Sequence, residues 1–119
     1  MKIKHKKIKK WENKTFDTII DVRSPLEYEE DHIIGSINCP VLNDQERIIV
    51  GTIYKKESTF KAKIIGSSLT ARNIAKHIEE KFINQQGSWQ PLVYCWRGGQ
   101  RSKAFSIILS EVGWRTCQL

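Results

Sequence analysis

The chain has 119 residues, 39% hydrophobic and 28% charged, the make-up of one globular domain able to bury a core without disulfide or metal staples. No apolar run approaches the ~20 residues of a membrane span, and three cysteines with no CxxC or His/Cys ligand spacing exclude a disulfide framework and a metal site, so a reduced, cytoplasmic protein is expected. The formal net charge of +7 is unevenly placed: residues 1–10 hold six lysines and no acid, which leaves +1 for everything after them.

Residues 1–14 are expected to be a basic, solvated tail able to add non-specific attraction to phosphates, ahead of a domain over residues 15–119. Glu12-Asn13-Lys14 interrupts any apolar segment that a secretory signal would require. The β-branched run Thr18-Ile-Ile-Asp-Val22 predicts a buried strand. Pro25 suits the first turn of a short helix to about Glu30. Gly35 to Pro40 predicts a second short strand. Asn43-Asp44 can cap a helix to about Lys56, broken in pattern by Gly51, and residues 57–68 are ambiguous. Thr70 can cap a helix whose Ala71, Ile74, Ala75, Ile78 and Phe82 share one face. After a loop at residues 84–88, Leu92-Val-Tyr94 predicts another strand. Ser102 opens a helix with Phe105, Ile108, Leu109 and Val112 on one face, closed by Gly113. Residues 115–119 could begin a last strand.

Strands alternating with helices predict an α/β fold, with a parallel central sheet and helices on both faces. Reactive groups in such folds gather at the carboxyl ends of strands. Cys95 stands at one such end, in PLVYCWRGGQRS, and Asp21 to Arg23 stand at another.

Three features of that loop favour a thiolate. The following helix presents unpaired N–H groups and a partial positive charge. Gly98 and Gly99 allow successive N–H groups to converge on one point. Arg97 and Arg101 bring forked donors and permanent charge. Such surroundings make a cysteine a nucleophile beside a cup for an oxyanion. Most cysteines merely fill a core, and Cys39 and Cys117 are read that way. Cys95 is the catalytic candidate, with Trp96, Arg97, Gly98, Gly99, Gln100, Arg101 and Ser102 as the anion-binding loop.

The spacing from Cys95 to Arg101 is C-x5-R, with room for a tetrahedral anion. Phosphatases and arsenate reductases use such a loop, as do sulfurtransferases. A phosphatase needs an acid for its leaving group, and this loop has none. Asp21 and Arg23 are supporting candidates: Asp21 as a cap of the following turn, Arg23 either there or facing the anion. His32 is weighed as a base and read as structural. Trp96 could cover a substrate or pack on another part of a longer protein.

Residues 21–28 (DVRSPLEY) and 31–38 (DHIIGSIN) resemble the first motif of the rhodanese family, with Asp31 in place of its usual glycine. CWRGGQRS, with NDQERIIVGTIYKK (43–56), FKAKIIGSSLTARNIAKHI (60–78) and Gly113-Trp114, is similar to the N-terminal part of the tRNA 2-selenouridine synthase family. The resemblance covers about residues 16–119. It implies a rhodanese-like domain in a transferase acting on the wobble 2-thiouridine of tRNA. There the base is geranylated from geranyl diphosphate, and the geranylthio group is then replaced by selenium from selenophosphate. Those two are implied as co-substrates, with no cofactor bound by this domain, tRNA as partner and a selenophosphate-supplying enzyme as a second. Cys95 takes the place of the family's loop cysteine. The family's second half carries a phosphate loop, and no GxxxxGK[ST] occurs here, so that second domain is expected to be absent. The Gly-Gly that the resemblance implies soon after the last strand is missing too, so this domain is expected to be cut short at its C-terminal end. The remaining alternative is a non-catalytic rhodanese-like binding module.

Overall fold

The computed structural model describes residues 6–7, 15–96 and 99–119. Five parallel strands form one sheet: β1 (Lys6–Lys7), β2 (Thr18–Asp21), β3 (Ile37–Asn38), β4 (Pro91–Tyr94) and β5 (Cys117–Gln118), in the order β1-β5-β4-β2-β3. The helices are α1 (Pro25–Glu30), α2 (Asp44–Lys56), α3 (Thr59–His77), extended by one π-helical turn over Ile78–Phe82, and α4 (Gln100–Val112).

The sheet has two unequal sides. Alternation along β2 and β4 sends Ile20 and Val93 to one face, joined by Val22 and Cys95, which follow the two strands. There they pack with Ile74, Phe82, Phe105 and Leu109 from α3, the π turn and α4, with Trp89 and Trp114 closing the cluster. Ile19, Leu92 and Tyr94 point the other way, toward Phe16 and Ile33. Tyr94 is fully buried there, its hydroxyl receiving the Ile33 N–H at 3.0 Å.

Several expectations need correction. Thr70 caps nothing: α3 begins at Thr59, where the Ser58 hydroxyl accepts the Lys61 N–H at 2.9 Å, so the ambiguous stretch is helical. Of the apolar face drawn over it, Ile74 and Phe82 are buried, while Ala71 and Ala75 are exposed. Gly51 does not break α2, which runs unbroken under an Asn43 cap closed by Glu46. On α4, Phe105 and Leu109 reach the core but Val112 is 57% exposed, and the helix lays Ser102, Ser106 and Ser110 inward beside them. Small side chains let the helix sit close to the sheet. The helix also starts two residues before Ser102, with Gly99 as its N-cap at φ 72°, a left-handed conformation that costs a residue with a Cβ. Finally, β1 lies within the stretch expected to be a tail, pairing Lys6 with Cys117 and Lys7 with Gln118.

β3 and β4 flank β2 on opposite sides, and β5 lies beyond β4. The connections leaving β2 and β4 therefore diverge, which opens a crevice at the carboxyl ends of these two strands. Register places Asp21 beside Tyr94, and Cys95 follows directly.

Candidate active site

Cys95 is buried, with 5% of its surface exposed. Its sulfur lies at the start of α4, 3.4 Å from the Ser102 N–H that donates to it and 3.2 Å from the Ser102 hydroxyl. Ser102 is the third residue of α4, so its N–H has no partner within the helix, and the sulfur supplies one. An anion on that sulfur would also meet the favourable end of the helix dipole. The backbone turn at Gly99 aims α4 at the cysteine, and so Cys95 and its helix come from adjacent parts of one loop.

Ser102 is fully buried, and its hydroxyl lies 3.1 Å from the Gly99 carbonyl and 2.9 Å from the Gln118 amide nitrogen, which donates to it. The same Gln118 nitrogen donates to the Gly99 carbonyl at 2.8 Å. Gln118 comes from β5 and was not singled out from the sequence. The sequence shows it only as a polar residue within the possible last strand at 115–119.

The loop's cations divide. Arg101, expected to line the anion cup, turns to α1 instead: its guanidinium donates to both carboxylate oxygens of Glu27, at 2.8 and 3.3 Å. Arg47 of α2 joins the same carboxylate at 3.3 Å, and the Ser24 N–H and hydroxyl donate to it at 3.2 and 3.0 Å. Burial raises the Glu27 carboxyl, but the Arg101 hydrogen bonds and charge outweigh it, with Ser24 assisting, and hold it at about 2. Glu27 thus occupies the fork that an oxyanion would need. Arg97 and Gly98 lie outside the described residues. Gln100 is exposed at the rim of α4.

Asp21 and Arg23 form the floor beside the loop. The Asp21 carboxylate is fully buried and receives the Arg23 N–H at 2.9 Å, its guanidinium NH2 at 2.8 Å and the Tyr94 hydroxyl at 2.7 Å. Arg23 also donates to Asp31 at 3.1 Å, so both sides of its guanidinium are taken by carboxylates. Burial alone would lower its pKa, but the hydrogen bonds to Asp21 and Asp31 raise it well above the ordinary arginine value. Asn38 donates to the carbonyls of Asp21 and Arg23 at 3.1 and 2.9 Å, tying the turn after β2 to β3. The pair therefore supports the loop's base rather than offering free donors to a ligand.

Trp96 is 41% exposed, and its ring lies over the Arg23 guanidinium at 5.2 Å and against the Tyr94 ring at 5.1 Å. Arg23 is thus capped by an aromatic face as well as by carboxylates. His32 stacks on Tyr28 with ring centroids 3.8 Å apart, and its Nδ1 lies 2.7 Å from the Tyr28 carbonyl, which gives it the structural role expected. Cys39 is buried and its thiol is pushed up by burial, Lys81 Nζ at 3.6 Å notwithstanding. No group of side chains suited to a metal ion occurs among the described residues. No helix among them is long and apolar enough to cross a membrane.

A lone loop cysteine closing a central parallel strand, its sulfur on the first turn of the next helix, defines a rhodanese-type α/β domain. The family model for the rhodanese-like domain matches residues 4–119, and the chain belongs to that family. The match begins at residue 4, within the stretch read as a tail.

More particularly, the chain is similar to the N-terminal region of tRNA 2-selenouridine synthases. It is 34% identical to that of Nitrosomonas europaea over 98 residues, covering 80% of this chain and 25% of the relative. With the enzyme of Bdellovibrio bacteriovorus it is 36% identical over 98 residues, with the same coverage. The chain therefore spans about a quarter of the length of these curated relatives. Among solved structures, the N-terminal domain of a proposed ATP/GTP binding protein from Clostridium difficile 630 superposes with a TM-score of 0.68 at 34% identity. That likeness covers 86% of this chain and 79% of the other.

Proposed function

We propose that this chain is the chalcogen-handling domain of a selenotransferase or sulfurtransferase of the tRNA 2-selenouridine synthase type, with Cys95 as its reactive thiolate. The observation that carries this reading is the sulfur's position on the Ser102 N–H at the start of α4. A thiolate there is stabilised by the helix and faces a loop able to hold a tetrahedral anion. Trp96 at the rim, Gln100 beyond it and the Gly99 turn would border this cup, and Arg101 would join it on release from Glu27.

The domain's own step is transfer from an anionic sulfane donor. With thiosulfate, the Cys95 thiolate attacks the outer sulfur and a new S–S bond forms. The old S–S bond breaks, and sulfite leaves with its electron pair; the product is a persulfide on Cys95. Selenophosphate is the tetrahedral donor that the cup would hold in the longer enzyme, and geranyl diphosphate the prenyl donor. The mainly apolar groove between α2, α3 and α4, about 720 Å³ and lined by Leu42, Val50, Ile74 and Ala104 together with Arg101, is large enough to take a prenyl chain. The acceptor is the wobble 2-thiouridine of tRNA, and a selenophosphate-producing enzyme is the partner that must supply the donor.

The test is intact-mass analysis after incubation with thiosulfate, selenophosphate or an aryl phosphate, with Cys95→Ser as control. A chalcogen adduct lost in the control is the expected result. A phosphocysteine or phosphate release would replace this reading with a phosphatase. Inertness toward every donor, in this chain and in a full-length relative, would leave a binding module.

A further inference from the structure

The Gly99 carbonyl is approached by three donors: the Lys103 N–H at 2.9 Å, the Gln118 amide nitrogen at 2.8 Å and the Ser102 hydroxyl at 3.1 Å. A carbonyl oxygen has two lone pairs, and the Lys103 N–H and one of the two Gln118 amide hydrogens already fill them, the other Gln118 hydrogen going to Ser102. The Ser102 hydroxyl hydrogen is the one donor of the three that can turn elsewhere. Its oxygen also receives a hydrogen from Gln118 at 2.9 Å. An oxygen that accepts on one side must point its hydrogen to another, and the Cys95 sulfur lies 3.2 Å away.

Gln118 cannot be turned the other way round. Flipping its amide would set a carbonyl oxygen against the Gly99 carbonyl, acceptor against acceptor, so the short contact to Gly99 settles the orientation. All the groups concerned are interior: Ser102 is fully buried, Gln118 is 2% exposed and Cys95 is 5% exposed. In such a setting an unmade or misdirected hydrogen bond carries its full cost.

We infer that Gln118 is a positioning residue that sets the polarity of the Ser102 hydroxyl, so that Ser102 donates to the Cys95 sulfur and favours thiolate over thiol. In the thiol form the S–H must donate to the Ser102 oxygen, which drives the hydroxyl hydrogen back to an already filled Gly99 carbonyl. Loss of the thiol proton to solvent lets the hydroxyl swing to the sulfur while Gln118 keeps Gly99 satisfied. Ser102 therefore acts on the reacting atom, and Gln118 acts through Ser102 from the neighbouring strand.

This inference rests on Cys95 being the reactive thiolate of the proposed function, but its test does not use a chalcogen donor. Iodoacetamide labelling of Cys95, followed by peptide-resolved mass spectrometry across pH, reads the thiolate directly. Ser102→Ala is expected to slow labelling at neutral pH about tenfold and Gln118→Met about fivefold, the loss of a hydrogen bond to a charged group. Ser102→Thr, which keeps the hydroxyl, should restore most of the rate. In the S102A background, Q118M should have no further effect. Additive losses, or labelling unchanged in a folded Q118M, would overturn the inference.

A second measurement needs no substitution at Gln118. In the 15N-labelled protein, the Gln118 side-chain amide resonances should move with the same pH midpoint as Cys95 labelling, and should cease to do so in Cys95→Ser. Resonances indifferent to that midpoint would equally overturn it. Should the donor assay fail while these couplings hold, the proposed transfer chemistry falls and the relay stands. The reverse pattern removes the relay alone.

Discussion

Arg23 is 3% exposed, and a buried guanidinium survives only because its partners come with it. Asp21 supplies both carboxylate oxygens, Asp31 closes the far side, and the Trp96 ring covers the face. Removing Asp21 would strand a cation under an aromatic lid, which is the expensive way to break a buried pair. Asp21→Ala should therefore lower stability by about 3–5 kcal/mol in urea titration, whereas Asp21→Leu with Arg23→Met should recover a large part of that loss. Equal losses for the single and the double variant would mean that the pair is not self-compensating. The same logic at Glu27 has a functional consequence. Its carboxylate holds the Arg101 fork, so Glu27→Gln should weaken that hold and raise the affinity of Cys95's loop for sulfate or thiosulfate several-fold. Protection of Cys95 from iodoacetamide by sulfate measures this. Unchanged protection would show that Arg101 stays where Glu27 holds it.

Elements differ in how plainly their residues declare them. α1 is legible because Pro25 and Glu27 sit where a first turn wants them, and α2 because Asn43 and Glu46 close a capping box. β2 and β4 are apolar runs with turn residues after them, so their burial follows from composition. The start of α3 is hidden, because Ser58 looks no more like a cap than Thr70 does, and Gly66 sits inside the helix where Val50 packs close to it. The cysteine loop is legible as chemistry, from glycines and arginines beside a strand end. Its true wiring is not: Glu27 and Gln118 lie 74 and 16 residues away from the loop partners they bind, and only the sheet order brings them together. The helical hairpin carries its own consequence. α2 has no buried residue, and Ile48 and Tyr54 are 68% and 58% exposed, as is Phe60 of α3 at 73%. A helix with so little burial depends on its caps, on α3 and on the exposed polar contacts of Arg47 and Asp44 with α1, so it should open locally ahead of the sheet. Hydrogen exchange should show α2 amides exchanging faster than those of β4 and of the Phe105–Leu109 turn of α4. Uniform protection across both would refute a separately opening hairpin.

For the molecule as a whole, the crevice between β2 and β4 is assembled from segments spread along the chain, and two titrating groups hold separate parts of it in place. Glu27 ties α1 to α4 and α2 through Arg101 and Arg47. His77 ties the end of α3 to the loop after β3, its Nε2 donating to the Pro40 carbonyl at 2.8 Å, with Phe105 stacked 6.1 Å away. Its Nδ1 is buried with no hydrogen-bond partner among the described residues. A proton placed there would have nothing to donate to, and burial, with Lys81 adding to it, lowers the His77 pKa below 6.5 despite the Pro40 bond. The sign follows directly. A lowered histidine pKa means that the unfolded chain takes up protons first, so stability is whole above pH 6.5 and drains as pH falls through the folded value. A lowered carboxyl pKa acts in the same direction but later, between 4.5 and about 2. Urea midpoints should therefore fall in two stages on acidification. His77→Gln should flatten the upper stage without touching the lower, and Glu27→Gln the reverse. A single stage that ignores both substitutions would place the acid sensitivity elsewhere in the fold.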